Sequence, residues 1–171
     1  GVRCTGRYKE RVGEIVLPGV GEHQVFNVAP CVLVGYHLGL DREMMRRQLQ
    51  TLKNPDRALS ISSYGKCTVI NDTYNSNPDG FRAALQVLAG FSSEKKRIVI
   101  TRGMMELGEK SDELHEQIGE EIAFVADEVI VTTPDFYEPL KRGVGTKYLT
   151  RIRLETSPDA LVEFLRLQKE T

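Results

Sequence analysis

Residues 67–85 read CTVINDTYNSNPDGFRAAL. The opening Thr68-Val69-Ile70 is β-branched and favours extended backbone, so a strand is expected over 67–71. The run then turns polar, with six polar residues among the eight from Asn71 to Pro78. Pro78 suits the first turn of a helix, where its missing N–H is not needed, and the helical pattern continues to about Ala89. Strand, polar loop and helix in close succession form one unit of an α/β fold. The alternation goes on downstream: strand 98–101, helix 111–126, strand 128–131, a short helical segment near 135–142, strand 151–155 and helix 158–168. Such alternation implies parallel β-α-β units. The expected fold is α/β, a doubly wound (Rossmann-like), mostly parallel sheet flanked by helices.

Upstream the pattern changes. Residues 1–18 hold one short alternating stretch, Glu10 to Leu17, read as an edge strand, and Pro18-Gly19 with Gly21 reads as a turn. From Gln24 to Leu38 the apolar Val25, Val28, Ala29, Val32 and Tyr36 recur at helical spacing. Pro30 falls inside this pattern, where it removes a hydrogen bond and should kink the helix; Gly39 suits its C-terminus. Residues 1–60 are expected to be less well packed than the rest, with the Val25, Val28 and Val32 stripe partly exposed or mediating self-association. Asp41 can cap a second helix to about Lys53, with Met44, Met45, Leu49 and Leu52 on one side. Asn54-Pro55-Asp56 reads as a turn. A strand over 58–62 should pair with 67–71 around Tyr64-Gly65. The four methionines and the aromatic positions read as core.

Composition narrows the function. The 171 residues carry 23 Lys and Arg against 24 Asp and Glu, a net charge of -1. A nucleic-acid binder usually concentrates basic residues in a stripe. Here only Lys95-Lys96-Arg97 adjoin, and they read as the solvated entrance to a strand. Cys4, Cys31 and Cys67 include no Cys-x-x-Cys pair, so neither a zinc site nor a disulfide framework is suggested, in keeping with a reducing cytoplasm. No apolar run approaches the ~18–20 residues of a membrane span, and the first residues do not form a signal peptide. The length suits one domain plus a piece of another, and a start at Gly1 without Met suggests a fragment.

Two polar clusters follow strands, where open α/β sheets place their ligands. In Asn71–Pro78, a carboxylate at the strand end could accept both hydroxyls of a ribose, and the following Asn and Ser groups could face phosphate oxygens at a helix N-terminus. The same residues also serve as caps and turn formers. The second cluster, Thr101–Glu109, has Gly103 and Gly108 for a sharply turned loop; a functional loop and a plain β-α connection both fit. His23 stands near a helix start without a second ligand at metal spacing, so a capping or structural role is expected there.

The string Val69–Pro78 with Phe81-Arg82-Ala83-Ala84-Leu85 resembles the Mur ligases, above all the branch that adds D-alanyl-D-alanine to a cell-wall precursor. Leu17-Pro18-Gly19 through Asn27 is similar to that family's segment opening the last long helix of its central ATPase domain. Pro55-Asp56-Arg57 is similar to its turn before the domain linker, and Gly103–Glu109 to its GDMLELGE loop or the related TPGMVELGE form. His115 and Gly119 stand where the family has a His…Gly helix. The resemblance implies an ATP-dependent, acyl-phosphate-forming amide ligase, with ATP and Mg2+ as cofactors and UDP-MurNAc-peptide and D-Ala-D-Ala as substrates, in the cytoplasm. It implies Asn27 at the adenine edge, Arg57 on the adenosine side, Asp72 on the ribose hydroxyls, and Tyr74, Asn75 and Ser76 near the phosphates or the acyl-phosphate. Without the family, Asn27 reads as a helix-surface amide and Arg57 as a solvated turn charge.

The sequence departs from the family at Gln24, Pro30 and Arg102-Gly103. No Gly-x-x-x-x-Gly-Lys-Ser/Thr occurs, and Gly65-Lys66-Cys67 is only an echo of one. The resemblance therefore assigns residues 1–60 to the end of the central ATPase domain and 61–171 to the carboxyl-terminal domain, truncated at its end. It assigns no catalytic residue and no magnesium ligand to this chain, which alone should be inactive. Two other readings stay open: a different Mur-fold ligase, such as a folylpolyglutamate or cyanophycin synthetase, and a non-catalytic nucleotide-binding or interaction module.

Overall fold

Pro78 opens a helix as its fixed φ dictates, and the polar residue before it makes the cap: the Asn77 side chain accepts a hydrogen bond from the Gly80 N–H at 2.8 Å. This local logic recurs through the computed structural model, which describes residues 2–8, 11–18, 23–53, 57–92, 94–146 and 150–170. The chain divides into two units, Gly1–Ser60 and Ile61–Thr171.

The first unit begins with two antiparallel strands, β1 (Val2–Tyr8) and β2 (Arg11–Leu17), in the register Val2↔Leu17 to Tyr8↔Arg11. Sequence reading found β2 and missed β1. The alternation of Val2, Cys4 and Tyr8 with Arg3, Thr5 and Arg7 is there, but Gly6 and the two arginines conceal it. Helix α1 (His23–His37) runs through Pro30. Val28 is buried, Val25 and Val32 are half-buried, and the exposed apolar side chains on α1 are Phe26, Leu33 and Val34. The stripe is thus partly exposed at Val25 and Val32, as expected, and buried at Val28. Gly39 ends the helix in left-handed conformation at φ 73. Asp41 caps α2 (Arg42–Gln50) by accepting the Met44 N–H at 2.8 Å. The helices meet where Gly35 lies against the Met45 sulfur. The turn at 54–56 and the Pro18-Gly19/Gly21 turn after its first residue lie outside the described residues, as do the side chains of His23 and Gln24.

The second unit carries the parallel sheet. Strands β3 (Ser60–Tyr64) and β4 (Cys67–Asn71) form a two-residue hairpin. After α3 (Pro78–Ala89) come β5 (Ile98–Thr101), α4 (Ser111–Val125), β6 (Glu128–Val131), α5 (Tyr137–Val144), β7 (Arg151–Leu154) and α6 (Pro158–Glu170). Strands β5, β6 and β7 are parallel neighbours in that order. Successive side chains leave a strand on opposite faces. Val99, Val129 and Val131 enter the main core with Phe81, Leu85, Ile118, Ile122 and Leu140, under α3, α4 and α5. Glu128 and Ile130 leave on the other face, where Arg153 and Lys96 lie over the Phe164 ring of α6. Helices thus flank both faces of an α/β, Rossmann-like sheet.

Of the methionines only Met104 is fully buried; Met44 and Met105 are exposed, as are Phe26, Tyr64, Tyr74 and Phe124. Of the basic triplet, Lys95 and Lys96 are exposed, as expected of a solvated strand entrance, and Arg97 is half-buried. Lys96 pairs with Glu128 at 2.6 Å. The Arg97 guanidinium donates to the carbonyls of Ala89, Phe91 and Val125.

Candidate functional site

The β4–α3 segment divides its polar residues between architecture and exposure. Asn77 takes the helix cap, and Asn71 folds the preceding turn by accepting from the Thr73 N–H and hydroxyl at 3.3 and 2.8 Å. Asp72 and Ser76 are half-buried, while Tyr74 and Asn75 are exposed, Tyr74 by 72%. No hydrogen bond ties the side chains of Tyr74, Asn75 or Ser76 to a described residue. Turn and cap formation therefore account for Asn71, Thr73 and Asn77 and leave the side chains of Tyr74, Asn75 and Ser76 outside the local hydrogen bonding.

The other two residues singled out from sequence belong to the first unit. Asn27 is exposed on α1, and its carbonyl accepts a weak bond from the Cys31 thiol at 3.7 Å. Arg57 is exposed and left-handed, with φ 65. Asp72, Tyr74, Asn75 and Ser76 share one loop of the second unit.

The loop after β5 is held more tightly. The Gly103 N–H donates to Thr101 Oγ1 at 2.9 Å. Gly103 is left-handed at φ 92, and a Cβ there would meet Phe136 Cγ at 2.7 Å. Met104 is buried, and its N–H donates to His115 Nε2 at 2.9 Å. His115 is itself fully buried, stacked on Phe136 with ring centroids 4.4 Å apart, and its Nδ1 lies 2.7 Å from the Ser111 carbonyl oxygen. A backbone N–H on one nitrogen and a carbonyl on the other require the neutral tautomer with its proton on Nδ1. Sequence reading noted His115 without a structural role. Its helical spacing with Ile118 and Ile122 marks the buried face, a signal that it faces inward.

Electrostatics concentrate elsewhere. Burial pushes the Glu128 carboxyl up, but hydrogen bonds and charge from Lys96 and Arg153 outweigh it and leave it below the usual glutamate range. A shallow groove of about 200 Å³ runs between α3 and α4, lined by Arg82, Leu85, Gln86, Ala89, Glu121 and Val125. Its lining includes Ala89 and Val125, the carboxyl-terminal residues of the two helices. Among the described residues no cluster of three metal-ligating side chains occurs and no helix is long and apolar enough to cross a membrane.

Residues 56–170 match the family described as Mur ligase, glutamate ligase domain. The chain belongs to the Mur ligase family. Among curated Mur ligases, it is 29% identical over 138 residues to the UDP-N-acetylmuramoyl-tripeptide–D-alanyl-D-alanine ligase of Haemophilus influenzae, covering 80% of this chain and 30% of that protein. It is 32% identical over 123 residues to the same-named ligase of Mycobacterium bovis, covering 68% of this chain and 24% of that one. In structure it is similar to MurF from Acinetobacter baumannii, with a TM-score of 0.80 at 25% identity over 99% of this chain and 37% of that chain. It also shares the fold of the MurF ligase from Thermotoga maritima in complex with ADP, with a TM-score of 0.66 at 21% identity over 98% of this chain and 45% of that chain. The chain thus spans about a third or less of the curated Mur ligases it matches.

Proposed function

We propose that these residues are part of an ATP-dependent acid–amino-acid ligase that joins D-Ala-D-Ala to UDP-MurNAc-tripeptide. In such a ligase ATP activates the precursor carboxylate as an acyl phosphate, and the incoming amine displaces phosphate to form the amide. The carboxyl-terminal unit holds and orients the reactants, work that lowers the barrier by positioning. The observation that carries this reading is the run of exposed Tyr74 and Asn75 and half-buried Ser76, whose side chains are not spent on local hydrogen bonds, at a strand end of a Mur ligase fold.

By residue type alone, the side chains singled out from sequence suit the nucleoside side of ATP. Asp72 would accept the ribose hydroxyls, with Tyr74, Asn75 and Ser76 toward the phosphates, Asn27 at the adenine edge and Arg57 on the adenosine side. The sequence has no Gly-Lys-Ser/Thr loop to hold the β- and γ-phosphates with magnesium. In this reading residues 1–60 are the end of the ATPase domain and 61–171 the carboxyl-terminal domain.

The test is to incubate the complete gene product with Mg2+, ATP, UDP-MurNAc-tripeptide and D-Ala-D-Ala and follow the product by mass spectrometry. Pentapeptide formation with phosphate release that requires all three substrates is expected. Absence of that product, or phosphate release driven instead by UDP-MurNAc with L-alanine, would overturn the assignment.

A further inference from the structure

We propose that α6 is a strap that sets the position of the β4–α3 loop, with Phe164 and Cys67 as the positioning residues at its two fastenings. The part of this inference that concerns ATP rests on the ligase reading above.

The loop from Asp72 to Ser76 hangs between two elements that are held very differently. α3 is anchored in the core through Phe81 and Leu85. The hairpin before the loop is not: no residue of β3 or β4 is buried, and none belongs to the core cluster. Among the described residues no ladder joins β4 to β5, so the hairpin lies outside the hydrogen bonding of the β5–β6–β7 sheet. A two-stranded hairpin without a buried face is marginal by itself and belongs to the segments that open first.

α6 reaches from the sheet to that hairpin. Leu161, Phe164 and Gln168 are its half-buried positions, and the other described side chains from Pro158 to Leu167 are exposed. Their spacing puts all three on one face of the helix. Phe164 lies on the sheet face that carries Glu128, with Arg153 at 4.6 Å and Lys96 at 5.8 Å from its ring centroid. Both cations also pair with the Glu128 carboxylate, at 3.2 and 2.6 Å. One turn further on, the Gln168 carbonyl accepts the Cys67 thiol at 3.3 Å, which ties the end of α6 to the first residue of β4. The same narrow face is thus fastened to the sheet at Phe164 and to the hairpin at Gln168.

With the strap fastened, β4 delivers Asp72 to one place ahead of α3. With the strap loose, the hairpin moves and the loop is in place only part of the time. A site that is competent for a fraction of the time binds its ligand more weakly by that fraction, and saturating ligand restores it. Loosening α6 should therefore raise the KM for ATP and leave kcat alone.

The experiment has two arms. In this chain, Phe164→Leu keeps apolar bulk and loses the aromatic face, so amide exchange should quicken about tenfold in α6 and in β3–β4 together. β5, β6 and α4 should keep their protection. Phe164→Tyr keeps the face and should restore both elements. Cys67→Ala removes the thiol donor and should quicken the hairpin while the middle of α6 stays protected. Acceleration confined to α6, with the hairpin unchanged, would overturn the strap; acceleration throughout the sheet would make Phe164 an ordinary packing residue and overturn it as well. In the complete ligase, Phe164→Leu should raise the KM for ATP about tenfold, with kcat and the KM for D-Ala-D-Ala held within about twofold, and Phe164→Tyr should bring it back. A lower melting temperature with an unmoved KM for ATP would overturn the positioning of the loop. Should the wild-type ligase neither bind nor consume ATP, the ligase reading fails and the nucleotide part with it, while the exchange arm still decides the strap.

Discussion

Gly119 of α4 and Gly143 of α5 lie back to back: a Cβ on Gly119 would come within 2.5 Å of the Leu140 carbonyl oxygen, and one on Gly143 would meet the Glu116 carbonyl oxygen and lie 2.9 Å from the Gly119 Cα. The atoms in the way are backbone, so they cannot swing aside as a side chain would. This close crossing lets α4 and α5 together cover Val129 and Val131 of the central strand. Gly119→Ala should therefore lower stability by about 1–3 kcal/mol, the usual cost of overpacking. Helix propensity alone argues for a gain of up to about 1 kcal/mol from the same change. Urea unfolding of the chain separates the two by sign, and a raised midpoint would refute the crossing geometry.

The same pair shows what was legible in the sequence. The strand-helix alternation from Ile98 onward was readable because β-branched runs such as Ile98-Val99-Ile100 alternate with helical spacing, and Pro78 and Asn77 mark a helix start by their own chemistry. What could not be read were contacts between elements far apart in the chain. Nothing near Arg97 in sequence says that its guanidinium reaches the ends of two helices, and nothing near His115 says that its acceptor meets an amide eleven residues back. β1 escaped because its alternation is carried by short stretches between arginines. For the candidate site, the polar run Asn71–Ser76 was visible as a cluster, but which members cap and which stay exposed depended on the turn geometry.

Arg97 joins the last turns of α3 and α4. Its guanidinium donates to the carbonyls of Phe91, Ala89 and Val125 at 2.6, 3.3 and 3.4 Å, and its N–H donates to Asp127 at 2.7 Å. Ala89 and Val125 end their helices, where carbonyls lack intrahelical donors and the dipole favours a cation. Lysine would keep the charge but cannot span three acceptors. Arg97→Lys should cost on the order of 1.5–3 kcal/mol. Amide exchange should quicken at both helix ends together; protection lost at only one of them would contradict the shared cap.

Glu128 makes the second unit sensitive to acid. Its carboxyl is buried, which raises its pKa, yet Lys96 at 2.6 Å and Arg153 at 3.2 Å lower it further than burial raises it. A folded pKa below the unfolded one contributes stability that is complete above the usual glutamate range and is lost as pH falls through the lowered value. Glu128→Gln should cost about 1–2 kcal/mol at neutral pH, the lower part of the range for charged hydrogen bonds because Lys96 and Arg153 stay half-exposed. The gap between wild type and variant should narrow as pH drops from 7 toward about 3. Urea midpoints across that range that kept a constant gap would rule out ionisation of Glu128 as its source.

Asp72 and Asn77 lie in the same loop and should fail in opposite ways. Asn77 holds the start of α3 through the Gly80 N–H at 2.8 Å, so Asn77→Ala should cost about 0.5–2 kcal/mol of stability. Asp72, half-buried at the end of β4, is proposed to accept ribose hydroxyls, and Asp72→Asn keeps its size while removing its charge. A hydrogen bond to a charged group contributes about 1.5–3 kcal/mol, so the KM for ATP of the complete ligase should rise roughly tenfold to a hundredfold at ~1.4 kcal/mol per decade. Asn77→Ala should leave that KM unchanged, since the cap faces the helix and not the nucleotide. Measuring melting temperature and KM for ATP in both variants gives a crossed comparison. An Asp72→Asn enzyme that melts early yet keeps its KM would show that Asp72 supports the turn, and the ribose assignment would then pass to another residue of the loop.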